Sequence, residues 1–108
     1  MIAIDDTKLI SETIFEETTA LNLAELFRAL GDPSRVKILS MLLRSEENVT
    51  ALAEKVGISE SAVSHHLRVL RQMQIVRARR QGREVFYSLD DDHVALLLHQ
   101  GLDHVQHG

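Results

Sequence analysis

Residues 50–73 read TALAEKVGISESAVSHHLRVLRQM, and this stretch decides the fold. A short helix is expected over residues 50–56, stopped by Gly57. Ile58 is apolar, and Ser59 is an N-cap residue for a second helix over residues 60–73. The apolar residues of that second helix, Val63, Leu67 and Leu70, recur at helical spacing. Two short helices joined by a tight turn containing glycine make a helix-turn-helix. Leu52, Ala53, Val56 and Ile58 are its expected internal contacts, with the small Ala53 where the helices approach closely.

Upstream, Leu21, Leu23, Leu26, Phe27 and Leu30 fall near one face of a helix that Gly31 stops. Asp32-Pro33 restarts the helix, with aspartate as N-cap and proline at the first helical position. Val36, Ile38, Leu39, Met41, Leu42 and Leu43 make the next helix strongly apolar, and residues 45–48 form a polar connector. Downstream of Gln74 the period changes from helix to strand. Residues 75–80 and 84–89 are rich in β-formers and are joined by a tip of Gln81, Gly82 and Arg83. Residues 91–106 return to helical spacing. The expected fold is mainly α with a small β-hairpin, a homodimeric winged helix-turn-helix. Residues 1–17 are expected to form an N-terminal arm, and residues 18–108 the winged-helix domain with its C-terminal helix.

The 108-residue length suits one domain, and 44% hydrophobic with 26% charged residues suits an ordinary globular chain. The absence of cysteine excludes disulfides, thiolate metal sites, cysteine nucleophiles and thiol redox sensing. No apolar run approaches the ~20 residues of a membrane span. The N-terminal MIAIDDTKLISE lacks the pattern of a signal peptide, so a cytoplasmic chain is expected.

The formal charge of −4 is unevenly spread. Residues 61–83 carry Arg68, Arg71, Arg77, Arg79, Arg80 and Arg83 and no acid, while the segments at either end are acidic. Such a block is the footprint of a polyanion. In a helix-turn-helix, the N-terminal residues of the second helix face base edges in the major groove. Here they include Ser59, Ser61, Ser64 and His65, small or polar side chains able to bond bases or phosphates. Arg68 and Arg71 suit phosphates, and Arg83 at the hairpin tip suits an adjacent minor groove. Singly, Ser59 reads equally well as a cap and His65 as a surface residue. Together with the arginine block and the hairpin, they point to double-stranded DNA as partner.

Four of the six histidines lie in the last sixteen residues. His93 and His104 are about three helical turns apart and point nearly the same way, and His104 and His107 are neighbours at i and i+3. Asp91, at the helix start, can point alongside His93. About 16 Å separates His93 from His104 along one helix axis, so a single chain cannot close a site on them. Two copies packed antiparallel bring Asp91 and His93 of one chain to His104 and His107 of the other. Two equivalent interfacial sites then form per dimer. Val94, Leu98, Gly101, Leu102 and Val105 supply an apolar stripe for the pairing. One carboxylate and three imidazoles suit four-coordinate Zn(II), with Co(II) as substitute. The bland alternative is a histidine-rich, frayed C-terminus that binds no metal. A zinc hydrolase is not expected, because four protein ligands leave no open position and no HExxH motif is present.

The chain resembles the ArsR/SmtB winged-helix metal-sensing repressors over residues 20–107. The matching motifs are Leu30-Gly31-Asp32-Pro33-Ser34-Arg35, Ser61-Ala62-Val63-Ser64-His65-His66-Leu67, Gly82-Arg83 with Val85-Phe86-Tyr87-Ser88-Leu89, and Asp91-x-His93 with His104-x-x-His107. The last is similar to the ligand pattern of the CzrA-like zinc/cobalt sensors. The resemblance implies a cytoplasmic dimer that binds operator DNA without metal and releases it with metal, governing an efflux or sequestration gene. It assigns Asp91, His93, His104 and His107 as ligands and implies no membrane partner and no small-molecule substrate. It also implies that the second ring nitrogen of His104 bonds the main chain near Gln74. A repressor of this fold sensing Ni(II)/Co(II), or a non-metal signal, is the alternative.

Overall fold

The computed structural model describes residues 14–108, so most of the expected N-terminal arm lies outside the described residues. In chain order the elements are α1 (Glu17–Leu30), α2 (Pro33–Leu42), α3 (Val49–Val56), α4 (Glu60–Gln72), β1 (Val76–Gln81), β2 (Glu84–Leu89) and α5 (Asp92–His107). No helix among the described residues is long and apolar enough to cross a membrane.

Local chemistry sets the helix boundaries. Asp32 Oδ1 accepts from the main-chain N–H groups of Ser34 at 2.8 Å and Arg35 at 3.1 Å. The Arg35 N–H bond is the largest cause holding this carboxyl below the usual carboxylate range. Pro33 follows at the start of α2, where its missing N–H leaves no bond unmade. Asn48 caps α3 by accepting from Ala51 N–H at 2.8 Å, and Ser59 caps α4 by accepting from Ala62 N–H at 3.0 Å. Gly57 ends α3 at φ +82, a conformation open to glycine at little cost.

The core joins Ile38, Leu39 and Leu42 of α2 with Leu52 and Ala53 of α3 and with Val63, Leu67 and Leu70 of α4. Ile75, Val76 and Ala29 complete it. The helix-turn-helix read from residues 50–73 is present, and all three of its second-helix apolar positions are buried. The first helix buries less than its pattern implied. Leu26 and Leu30 pack partly on the core, whereas Leu21 and Phe27 are exposed.

β1 and β2 pair antiparallel from Val76↔Leu89 to Gln81↔Glu84. Gln81 is therefore a strand residue, and the expected three-residue tip is the two-residue turn Gly82-Arg83. Gly82 takes the first turn position at φ +64, where a two-residue hairpin turn favours glycine. The connector before α3 also carries a sheet contact that the sequence pattern did not show. Tyr87 N–H donates to the Glu47 carbonyl at 2.9 Å, and Glu47 N–H returns the bond at 3.2 Å.

The joint between α4 and β1 is a Schellman ending. Gln74 N–H donates to Arg71 O at 3.0 Å, and Ile75 N–H reaches back to Leu70 O at 2.9 Å. Gln74 sits between them at φ +60, a left-handed conformation unusual for a side chain with a Cβ. The Ile75 carbonyl accepts from Asp90 N–H at 2.9 Å, so the same residue also fixes where α5 begins. A non-glycine residue held in this region costs about 1–3 kcal/mol. Gln74→Gly is expected to stabilise the fold by about 1 kcal/mol, read from urea unfolding. Destabilisation would show that the glutamine side chain makes contacts outweighing the strain.

Candidate nucleic-acid interface and metal centre

α4 presents an exposed polar face opposite its buried Val63, Leu67 and Leu70. Ser61, Ser64, His65, Arg68 and Arg71 all lie exposed on it. Ser59 is also exposed, but its oxygen serves the helix cap, leaving its hydroxyl hydrogen to donate outward. Neither Arg68 nor Arg71 has a carboxylate partner among the described residues. Ser64, Leu67, Arg68, Arg71 and Gln72 face Tyr87 of β2 across a groove of about 450 Å³.

The six-arginine block divides once it is folded. Arg77 and Arg79 share one face of the hairpin with their cross-strand partners Ser88 and Phe86. Arg79 is fully engaged there. It donates twice to the Glu46 carboxylate, at 2.7 and 3.2 Å, and once to Gln81 Oε1 at 2.9 Å, and its guanidinium lies 5.2 Å from the centre of the Phe86 ring. Arg77 Nε donates to Ser88 Oγ at 3.4 Å. The polyanion footprint therefore over-counts: Arg79 anchors the wing. Arg83 stays exposed at the turn, beside Asn48 and Thr50 at the start of α3. Asn48 Nδ2 donates to Glu84 Oε1 at 2.7 Å, tying the wing to α3 by the same side chain that caps it.

Two further residues position α4. Arg35 Nε donates to His66 Nδ1 at 3.1 Å, and its Nη1 donates to the Ala29 carbonyl at 3.3 Å. One side chain of α2 thus links the end of α1 to α4. Arg35 and His66 lie within the motifs quoted above, but the sequence pattern indicates neither role. Their partners lie six and 31 residues apart in the chain, beyond any local pattern.

α5 carries the candidate ligands at its two ends. Asp91 is the N-cap: Oδ1 accepts from Val94 N–H at 3.2 Å, and Oδ2 lies 3.4 Å from His93 Nδ1. The Val94 N–H bond, reinforced by His93, holds the Asp91 carboxyl below the usual carboxylate range. Asp91 and His93 are thus brought together, as expected. At the far end, His107 Nδ1 lies 3.0 Å from Asp103 Oδ1, which leaves Nε2 as the nitrogen facing away. Among the described residues, no three histidine or carboxylate groups converge within the chain. His104 makes no side-chain hydrogen bond to the main chain near Gln74 among the described residues of the single chain, where the Gln74 N–H is taken by Arg71.

The apolar stripe of α5 serves two surfaces. Val94 and Leu98 pack on the chain's own core. Leu98, Gly101, Leu102 and Val105 of that stripe, joined by Leu97, line an apolar groove of about 370 Å³ with Phe27, Leu30 and Val36 of α1 and α2. Val105 is 77% exposed and no residue of α5 is buried, so this face has no cover among the described residues.

The family model described as "Bacterial regulatory protein, arsR family" matches residues 32–78. The chain is 42% identical over 106 residues to a transcriptional repressor SmtB homolog of Synechocystis sp., covering 98% of this chain and 80% of that protein. The chain belongs to the arsR family. It is 45% identical over 92 residues to the transcriptional regulator NmtR of Mycobacterium tuberculosis, covering 85% of this chain and 77% of that one. The homodimeric winged helix-turn-helix DNA-binding domain of a possible ArsR-family regulator from Mycobacterium bovis superposes with a TM-score of 0.77 at 27% identity, covering 87% of this chain and 89% of that one. This family member is thus a winged-helix transcriptional regulator and not an enzyme.

The wing anchor generates a pH prediction. The Arg79 guanidinium holds the Glu46 carboxyl below the usual glutamate range. A lowered folded-state value means the tie is complete above the ordinary glutamate pKa and is lost as pH falls through the lowered value. The Arg79 Nε–H resonance is expected to lose its protection from exchange over that acidic range. Glu46→Gln should remove the transition and leave the resonance weakly protected at neutral pH. Undiminished protection in this variant would show that Phe86 and Gln81 suffice to hold Arg79.

Proposed function

We propose that a homodimer of this chain is a metal-responsive repressor whose metal-free form binds operator DNA. Binding of Zn(II), with Co(II) as substitute, lowers DNA affinity and releases a gene for metal efflux or sequestration. The observation that carries this reading is α5. It is a sixteen-residue helix with nothing buried, a carboxylate–imidazole pair at one end and two imidazoles at the other. An apolar groove runs beside it. Antiparallel pairing with a second copy covers the groove and completes a four-donor set from Asp91, His93 and the partner subunit's His104 and His107. One carboxylate and three imidazoles, with no thiolate, fit a four-coordinate zinc site. The repressor and regulator names of the relatives support the regulatory reading.

A bound ion would supply a cross-link between the two α5 helices. The chain's own residues would carry the change onward. Asp91 is fixed at the start of α5 as its cap, and the adjacent Asp90 is bonded to Ile75, which is bonded to the last turn of α4. Turning the paired α5 helices therefore carries the α4 helices of both protomers. For half-sites one turn apart, those helices must sit about 34 Å from each other. In this reading Ser59 at the α4 cap and Ser61, Ser64 and His65 on α4 contact base edges, Arg68 and Arg71 contact phosphates, and Arg83 at the hairpin turn enters the minor groove.

Titration of the dimer with Co(II) is expected to give intense visible d–d bands that saturate at about one ion per chain and vanish on adding Zn(II). His93→Ala or His104→Ala should abolish them. Weak bands would favour the octahedral, nickel-like alternative, and no binding would leave a winged-helix repressor with another signal. Linkage adds a second check: if Zn(II) weakens operator binding, operator must weaken Zn(II) binding by the same factor. Equal zinc affinity with and without operator would refute the proposal. The Ser64→Ala/His65→Ala variant is expected to lose its preference for operator over random duplex while keeping metal affinity; an unchanged preference would remove both residues from the reading set.

A further inference from the structure

We infer that the groove between α4 and β2 seats a phosphate of the operator backbone, gripped by Arg68, Arg71, Gln72 and Tyr87. The inference rests on the operator-binding reading above. Ser64, Arg68, Arg71 and Gln72 succeed one another at helical spacing along the exposed face of α4, above the buried Leu67 that floors the groove. Tyr87 forms the opposite wall. Its backbone is fixed on both sides, by Glu47 on one edge and by pairing with the small Ala78 on the other. The wall is therefore rigid on the side of β2 and helical on the side of α4.

The chemistry of the lining is one-sided. It holds two guanidiniums, an amide, a serine hydroxyl and a phenol, and no carboxylate among the described residues. The acids of the neighbouring connector are engaged elsewhere, Glu46 with Arg79 and Glu47 with Lys55. Guanidinium forks match the geometry of a phosphate, and neutral donors can complete the bonding of its remaining oxygens. The groove starts at Ser64, in the base-reading part of α4, and ends at the wing. A strand leaving the major groove beside α4 meets it directly. Tyr87 and Gln72 thereby join the interface as backbone contacts, which position the duplex without reading its sequence.

The test measures binding of the dimer to operator and to random duplex over a range of salt. Arg71→Ala is expected to weaken both by the same factor, about tenfold or more for a lost charge-assisted bond. It should reduce the slope of log K against log salt by about one for each protomer. Tyr87→Phe is expected to weaken both duplexes equally, by about threefold to tenfold, with the slope unchanged because no charge is removed. Unaltered circular dichroism in each variant keeps misfolding out of the reading. Loss confined to operator, or an unchanged slope for Arg71→Ala, would overturn the inference. Inorganic phosphate at constant ionic strength separates the two sources of the anion. If it shifts the Tyr87 ring resonances while Arg71→Ala binds both duplexes normally, the groove is a small-anion site and the inference fails. Failure of the unsubstituted dimer to bind any duplex would overturn this inference and the proposed function together.

Discussion

Ile75 is bonded through both of its main-chain groups, and the residue is 2% exposed. Its N–H closes the last turn of α4 and its carbonyl holds the residue before the α5 cap. A buried main-chain group left without a partner costs about 1–3 kcal/mol, so neither bond is easily given up. The end of α4, the root of the hairpin and the start of α5 are consequently tied together through one residue. A change imposed on α5 has little room to dissipate inside the chain. Under the proposed function it is expressed at the face shared by α1, α2 and α5, which has no cover among the described residues. The proposed mechanism accordingly rests on the relative placement of two protomers and not on internal rearrangement.

The charge distribution follows the same division of labour. An acidic chain of net charge −4 approaches a polyanion only if its positive groups are concentrated and its acids are occupied. Glu46 and Glu47, beside the wing, are paired with Arg79 and Lys55. Glu84 is turned onto the Asn48 amide. Glu60 stands in the first turn of α4, where it complements the helix dipole. Arg68, Arg71, Arg80 and Arg83, without carboxylate partners among the described residues, and Arg77, bonded only to the Ser88 hydroxyl, are left to set the local field. Arg79 shows that counting charges along a chain overstates the number that face a ligand.

The features legible in the sequence are those decided within a few residues. Asp32-Pro33 and Ser59 announce caps because the acceptor and its N–H partners lie two or three residues apart. Val63, Leu67 and Leu70 announce a buried face because a helix repeats it. Pairing Asp91 with His93 needs only the geometry of a helix start. What was not legible is decided across the chain. Glu47 joins the sheet as a single residue in a polar connector and leaves no alternating pattern. Arg79 finds Glu46 33 residues away. α5 is apolar on two sides, so its period reveals a stripe but not which side meets its own core. Val94 turns inward, Leu97 and Val105 line the groove, and Leu98 touches both. Gln74 adopts φ +60 because Leu70 and Ile75 demand burial on either side of it, a tertiary need that overrides local preference.

Asn48 uses both ends of one amide: its oxygen caps α3 and its nitrogen holds Glu84. Aspartate would keep the cap but set two carboxylates against each other. Serine or threonine would also keep the cap, yet neither donates from far enough out to reach the wing. Positions 48 and 84 are therefore bound by epistasis. A sequence drifting at one must pass through a partner change at the other, and grafting this wing onto another helix-turn-helix requires carrying both residues together.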